Sequence, residues 1–158
     1  MQELIFVSGS RKIDILYPKV INRLNELINN KSHFIIGDCY GVDTLVQSYL
    51  HAKKYKNVTI VSSGSSLRCD ILDDQWKIIY LNNKNTETRS FYSIKDKYMT
   101  EICDYGLCIW NGSSVSTKNN IERLLLNNKI VEVYINNDDQ KIYKNINEFR
   151  GEYNNELS

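Results

Sequence analysis

Trp110-Asn-Gly-Ser-Ser-Val-Ser-Thr-Lys-Asn-Asn-Ile121 follows an apolar run, Gly106-Leu-Cys-Ile-Trp110, and leads into Ile121, Leu124 and Leu125 at helical spacing. The succession is strand, small-residue loop, helix. Such a loop lets backbone N–H groups approach an anion, and the helix behind it aims its positive end at the same place. The segment reads as a phosphate or carboxylate cradle. The plainer reading is a tight turn whose Ser and Thr cap the helix.

Two more segments have this form. Glu3-Leu-Ile-Phe-Val-Ser8 reads as the first strand and runs into Gly9-Ser10-Arg11, ahead of a helical pattern near Tyr17-Pro18. Arg11 adds a planar fork that matches phosphate. Phe34-Ile-Ile-Gly-Asp-Cys-Tyr-Gly-Val-Asp43 places Gly37 and Gly41 beside the carboxylates Asp38 and Asp43. Three polar, Gly-bearing loops, each after an apolar strand, form the expected rim of an open α/β sheet. Ligands of such sheets bind beyond the carboxyl ends of the strands.

The alternation continues along the chain. Strands are expected at 4–8, 33–36, 58–61, 106–110 and 130–135, with a short one at 76–81. Helices are expected at 18–30, 42–53, 91–102 and 117–127, and 62–75 reads as an irregular polar segment carrying Arg68, Asp70, Asp73 and Asp74. This is an α/β chain with a mainly parallel sheet covered by helices on both faces. Its 158 residues suit one domain, read as 1–136, followed by a polar tail, 137–158, with one helix around 142–149.

Net charge is +1, from 20 basic and 19 acidic residues, so nucleic acid would need a local basic patch rather than a global field. No stretch approaches the length of a membrane span and Met1-Gln-Glu-Leu lacks a signal-peptide pattern, so a cytoplasmic protein without membrane association is expected. Cys39, Cys69, Cys103 and Cys108 are dispersed, and His33 and His51 complete no zinc spacing, so neither metal nor cofactor is expected. Cys103 and Cys108 read as core, and Cys39 lies in a candidate site loop.

Ser8-Gly-Ser-Arg11, Gly37-Asp-Cys-Tyr-Gly-Val-Asp43, Lys95-Asp96 with Met99, and Asp104 to Thr117 together resemble the SLOG superfamily over roughly residues 3–135. That group is similar to the LOG phosphoribohydrolases and to the Rossmann-like domain of DNA-processing protein A. The likeness is greatest to small stand-alone bacterial and phage members. It implies a Rossmann-like fold and a nucleotide or nucleotide-sugar ligand. By motif position, Gly9, Ser10 and Arg11 would line the phosphate or ribose side, and Gly112, Ser113, Ser116 and Thr117 would hold phosphate. Ser8 and Gly37 belong to the same motifs. Asp38 would meet a ribose hydroxyl or a water, while Asp43 would cap or orient its loop. In the hydrolases the corresponding loop carries a catalytic glutamate; here that position is Asn120, which cannot act as a general base. Glu122, two residues on, is rotated about 200° away on a helix.

The remaining candidates each have a plain reading. Lys95 and Asp96 read as a solvated helix face, lifted by the resemblance towards ligand or dimer contacts. Arg68 reads as an anion lid or as ordinary surface, and Trp110 as core that borders a base-stacking surface. The leading functional expectation is a protein that binds a nucleotide-like, ADP-ribose-like metabolite as sensor or sequestering protein, by analogy in a phage or defence setting. One alternative is an N-glycosidase acting on nucleoside monophosphates, with Asp38 or Asp43 replacing the missing glutamate. Another is a single-stranded DNA-binding module, which the charge balance disfavours. Homo-oligomerisation is expected from related folds.

Overall fold

The computed structural model describes residues 2–69, 73–82, 88–136 and 139–153, without the side chains of 88–92. The elements are β1 (Leu4–Gly9), α1 (Pro18–Asn29), β2 (His33–Gly37), α2 (Val42–Ala52), β3 (Val58–Ser62) and β4 (Lys77–Tyr80). They continue with α3 (Thr88–Ile102), β5 (Tyr105–Trp110), α4 (Val115–Leu126), β6 (Ile130–Ile135), β7 (Asp139–Tyr143) and α5 (Ile146–Tyr153). The part of the irregular segment at 70–72, with Asp70, lies outside the described residues, as do the ends of the expected tail at 137–138 and 154–158.

The strands form one 7-stranded sheet in the order β4-β3-β2-β1-β5-β6-β7. All pairs are parallel except β6 with β7. This is the mainly parallel α/β sheet expected from the alternation, and it has the Rossmann-like architecture that the resemblance implies. Right-handed crossovers explain its layers. The chain steps outward from β1 to β2 to β3 in one direction, so α1 and α2 share a face. It then steps the other way from β5 to β6, which puts α4 on the opposite face. Two cores follow. Val20, Leu24, Val46 and Leu50 pack on Ile5, Val7, Phe34 and Ile36 on one side. Met99, Ile121, Leu124 and Phe149 pack with Phe6, Ile35, Trp110 and Val133 on the other. The direction of winding reverses between β1 and β5, and the crevice of such sheets opens there.

Reading 137–158 as a polar tail is incomplete. Residues 139–143 form an antiparallel edge strand on β6, and the helix begins at Ile146 rather than near 142. The strand is hard to see in sequence because four of its five residues stay at least partly exposed and only Tyr143 is buried. Asn145 and Glu148 cap α5 reciprocally: Asn145 Oδ1 accepts from Glu148 N at 3.0 Å, and Asn145 Nδ2 donates to Glu148 Oε1 at 2.8 Å.

Glu132 anchors this end of the sheet. It is buried, and its carboxylate accepts from Arg23 Nε (3.0 Å), Tyr105 OH (3.0 Å), Tyr134 OH (2.6 Å) and Gln140 Nε2 (2.6 Å). Removing the shared acceptor strands several donors at once. Glu132→Ala is expected to destabilise the fold by about 3–5 kcal/mol in denaturant unfolding. A loss below about 1 kcal/mol, the level of an exposed pair, would show that the network contributes little.

Candidate functional site

Three loops meet where the winding reverses. Gly41 has φ +84°, and a Cβ there would lie 2.5 Å from the Arg11 Cα. Only glycine lets the β2–α2 turn press so closely on the β1–α1 loop. Ser10, almost fully buried, ties the third loop in. Its hydroxyl pairs with Ser114 Oγ at 2.9 Å and accepts from Asn111 N at 3.1 Å. Asn111 Oδ1 in turn accepts from Ser113 N and Ser114 N.

α4 starts at Val115, two residues earlier than expected, which places Ser116 and Thr117 in its first turn. Ser114 occupies the N-cap position but makes no side-chain cap hydrogen bond. The first-turn N–H groups, which have no partner within a helix, therefore stay uncapped by that side chain. Thr117 is 1% exposed, and its Oγ1 is buried without a hydrogen-bond partner among the described residues.

This helix end borders a cavity of about 910 Å³. The ends of β1 and β2 contribute Ser8, Gly9 and Gly37, and the loop after β1 contributes Arg11 and Lys12. α4 contributes Ser116, Thr117, Asn120 and Arg123; α3 contributes Lys95, Asp96 and Met99; Asp43 and Cys39 also line it. Of the residues expected at the site, Ser8, Gly9, Arg11, Gly37, Asp43, Ser116, Thr117 and Asn120 therefore converge on one cavity.

The others lie elsewhere. Ser10 faces inward as the loop tie. Gly112 and Ser113 lie in the exposed turn before α4. Trp110 is buried between Phe149 and Tyr153 and donates from Nε1 to Ser114 O at 3.0 Å, so it shapes the loop from the core side. Asp38 is buried outside the lining; its Oδ2 accepts from Arg68 N at 2.8 Å, while its Oδ1 has no partner among the described residues. Arg68 reaches Cys39 Sγ at 3.2 Å through Nη1.

Lys95 departs furthest from its expected placement. Its side chain is not on a solvated face but 98% buried in the cavity wall, since it is 2% exposed. Nζ donates to Asp96 Oδ1 at 3.2 Å and to Cys39 Sγ at 3.3 Å. Burial opposes its charge, but Asp96, Cys39 and Asp43 outweigh it and hold the ammonium above its ordinary pKa. A Cβ on Gly37 would sit 2.9 Å from Asp43 Oδ2 and 3.2 Å from Lys95 Nζ, so glycine leaves room for this pair. Asp43 also accepts from Cys39 N at 3.1 Å. Burial pushes its carboxyl up from 3.8 to about 7, with Lys95 opposing. Burial, then Asp43, pushes the Cys39 thiol up.

Asn120 is locked in place. Its Nδ2 donates to Ser8 Oγ at 2.9 Å and its Oδ1 accepts from Arg123 Nη1 at 2.8 Å. Glu122 points towards α5, where it meets Arg150 at 3.5 Å. Among the described residues no cluster of three or more His, Cys, Asp or Glu could hold a metal ion, and no helix is long and apolar enough to cross a membrane. Lys12, Lys95, Asp96, Cys39 and Arg123 join the site beyond the residues expected to bind ligand. The spacing of Arg123 three residues after Asn120, on one helix face, was the available signal for the last of them.

The chain matches no protein-family model, no curated protein and no solved structure.

Asp43 sets a pH dependence. The folded protein keeps the Asp43 proton up to about 7, whereas the unfolded chain releases it near 3.8. The folded state thus binds more protons inside that window, and this group's contribution makes stability fall as pH rises through it. Asp43→Asn lacks the contribution. Urea unfolding on both sides of the window should show the parent losing stability relative to the variant as pH rises. Parallel profiles would place the Asp43 carboxyl at an ordinary pKa.

Proposed function

We propose that this protein binds a nucleotide or nucleotide-derived metabolite in the cavity between α3 and α4 and holds it intact, as a sensor or sequestering protein of SLOG type. The observation that carries the reading is the uncapped start of α4. Its first-turn N–H groups, left without a cap by the Ser114 side chain, and the Thr117 hydroxyl, which has no partner among the described residues, border a cavity that Arg11 and Lys12 also line. Helix N-termini with nearby cations suit a phosphate group. The cavity size lies within the range of small-molecule sites. Lys95, Asp96 and Asn120 supply donors and acceptors for sugar or base on the inner wall. Asn120, bonded on both sides, offers no carboxylate where the related hydrolases use one. Self-association of this chain belongs to the same proposal.

One observation favours a second reading. Asp43 lines the cavity with a carboxyl that exchanges its proton at about 7, suited to general acid–base work at neutral pH. An N-glycosidase would use it to activate water against the glycosidic carbon. Chromatography after incubation with nucleoside monophosphates separates the readings: intact nucleotide supports binding, and released base supports hydrolysis.

The binding reading is tested by calorimetry with adenosine 5′-monophosphate. Arg11→Ala should weaken it by about 1.5–3 kcal/mol, the range for a hydrogen bond to a charged group. A variant that binds as tightly as the parent would remove Arg11 from the phosphate site.

A further inference from the structure

We infer that the cavity takes a ligand with two separated anionic groups, one at the start of α4 and a second at Arg123. This rests on the nucleotide reading above and names the ligand's charge and shape. Ser116, Asn120 and Arg123 follow one another along the cavity-facing side of α4. From Ser116 to Arg123 the helix rises about 10 Å, so the two positive features lie at different depths of one groove.

Arg123 is arranged as a waiting cation. It is half-buried in the cavity wall, and its Nη1 is held by Asn120 Oδ1 at 2.8 Å. Asn120 is itself held by Ser8 at 2.9 Å, so a buried relay fixes the guanidinium's position. Among the described residues no carboxylate pairs with Arg123, whereas Arg23, Lys95 and Arg150 each have at least one. An amide carbonyl orients a guanidinium without neutralising it. The remaining N–H donors of the fork are suited to a phosphate or carboxylate.

The local charge balance agrees. Arg11, Lys12, Lys95 and Arg123 line the cavity against Asp43 and Asp96. Asp96 is spent on Lys95 at 3.2 Å, and burial weakens the charge of Asp43. The positive excess is at the two ends: Arg11 and Lys12 with the α4 N-terminus, and Arg123 further along α4. A ligand with one phosphate leaves the second end unmatched. A nucleotide carrying anionic groups on opposite sides of its sugar matches both.

The test compares three probes by calorimetry: adenosine 5′-monophosphate, adenosine 5′-diphosphate and adenosine 3′,5′-bisphosphate. The bisphosphate should bind the parent about tenfold or more tightly than either other probe, because its added charge lies away from the first phosphate. Arg123→Gln should erase that advantage and leave the monophosphate within about twofold, and Arg123→Lys should retain part of it. Thermal unfolding of each variant checks that the fold persists. Equal binding of mono- and bisphosphate, or an equal loss for both in Arg123→Gln, overturns the two-anion inference while the nucleotide reading stands. Absence of binding by all three probes overturns both.

Discussion

The hydrogen bond between the Ser10 and Ser114 hydroxyls, 2.9 Å long, is the contact on which the site depends. Ser114 stands at the N-cap of α4, where a serine normally satisfies an open N–H of the first turn. Here its hydroxyl is directed to Ser10 and makes no cap bond. The same Ser10 receives Asn111 N on its hydroxyl and Val42 N on its carbonyl, and its own N–H donates to Ile109 O. One buried residue thus links the loop after β1, the loop after β5 and the start of α2. What stabilises the junction also leaves the helix end open for an anion.

The inner wall follows a different logic. A lysine buried this deeply persists only where charged and polar partners offset its desolvation. Asp96 and Cys39 contact it directly, and Gly37 leaves the space in which Asp43 approaches. The cavity therefore has a mouth built from backbone N–H groups and the exposed cations Arg11 and Lys12, and a wall built from fixed, mutually compensating charges. The mouth suits a phosphate. The wall suits hydroxyls and ring edges that need donors and acceptors at fixed positions.

The layered sheet was legible because parallel strands buried on both faces are nearly continuous apolar runs, as in Phe34-Ile-Ile36 and Leu107-Cys-Ile-Trp110. The edge strand β7 was not, because its surroundings leave most of its residues in water. Of the residues lining the cavity, Arg11, Asp43 and Thr117 stand at strand–loop–helix junctions legible in the sequence, whereas Asn120 was singled out only by the resemblance. Ser10 and Trp110 could not be separated from ligand contacts, since burial of a loop serine or a strand-end tryptophan depends on packing partners far along the chain. Ser114 lies 104 positions from Ser10. Lys95 looked solvated for the same reason: its partner Cys39 is 56 residues away, and helical periodicity alone cannot reveal it.

The most direct test of the central claim is a titration of the isotope-labelled protein with adenosine 5′-monophosphate, followed by backbone amide NMR shifts. A ligand seated at the open helix end should move the amides of Val115, Ser116 and Thr117 together with those of Gly9 and Arg11. Unchanged spectra, or changes confined to surfaces away from the start of α4, would contradict the assignment of this cavity as a phosphate-bearing nucleotide site.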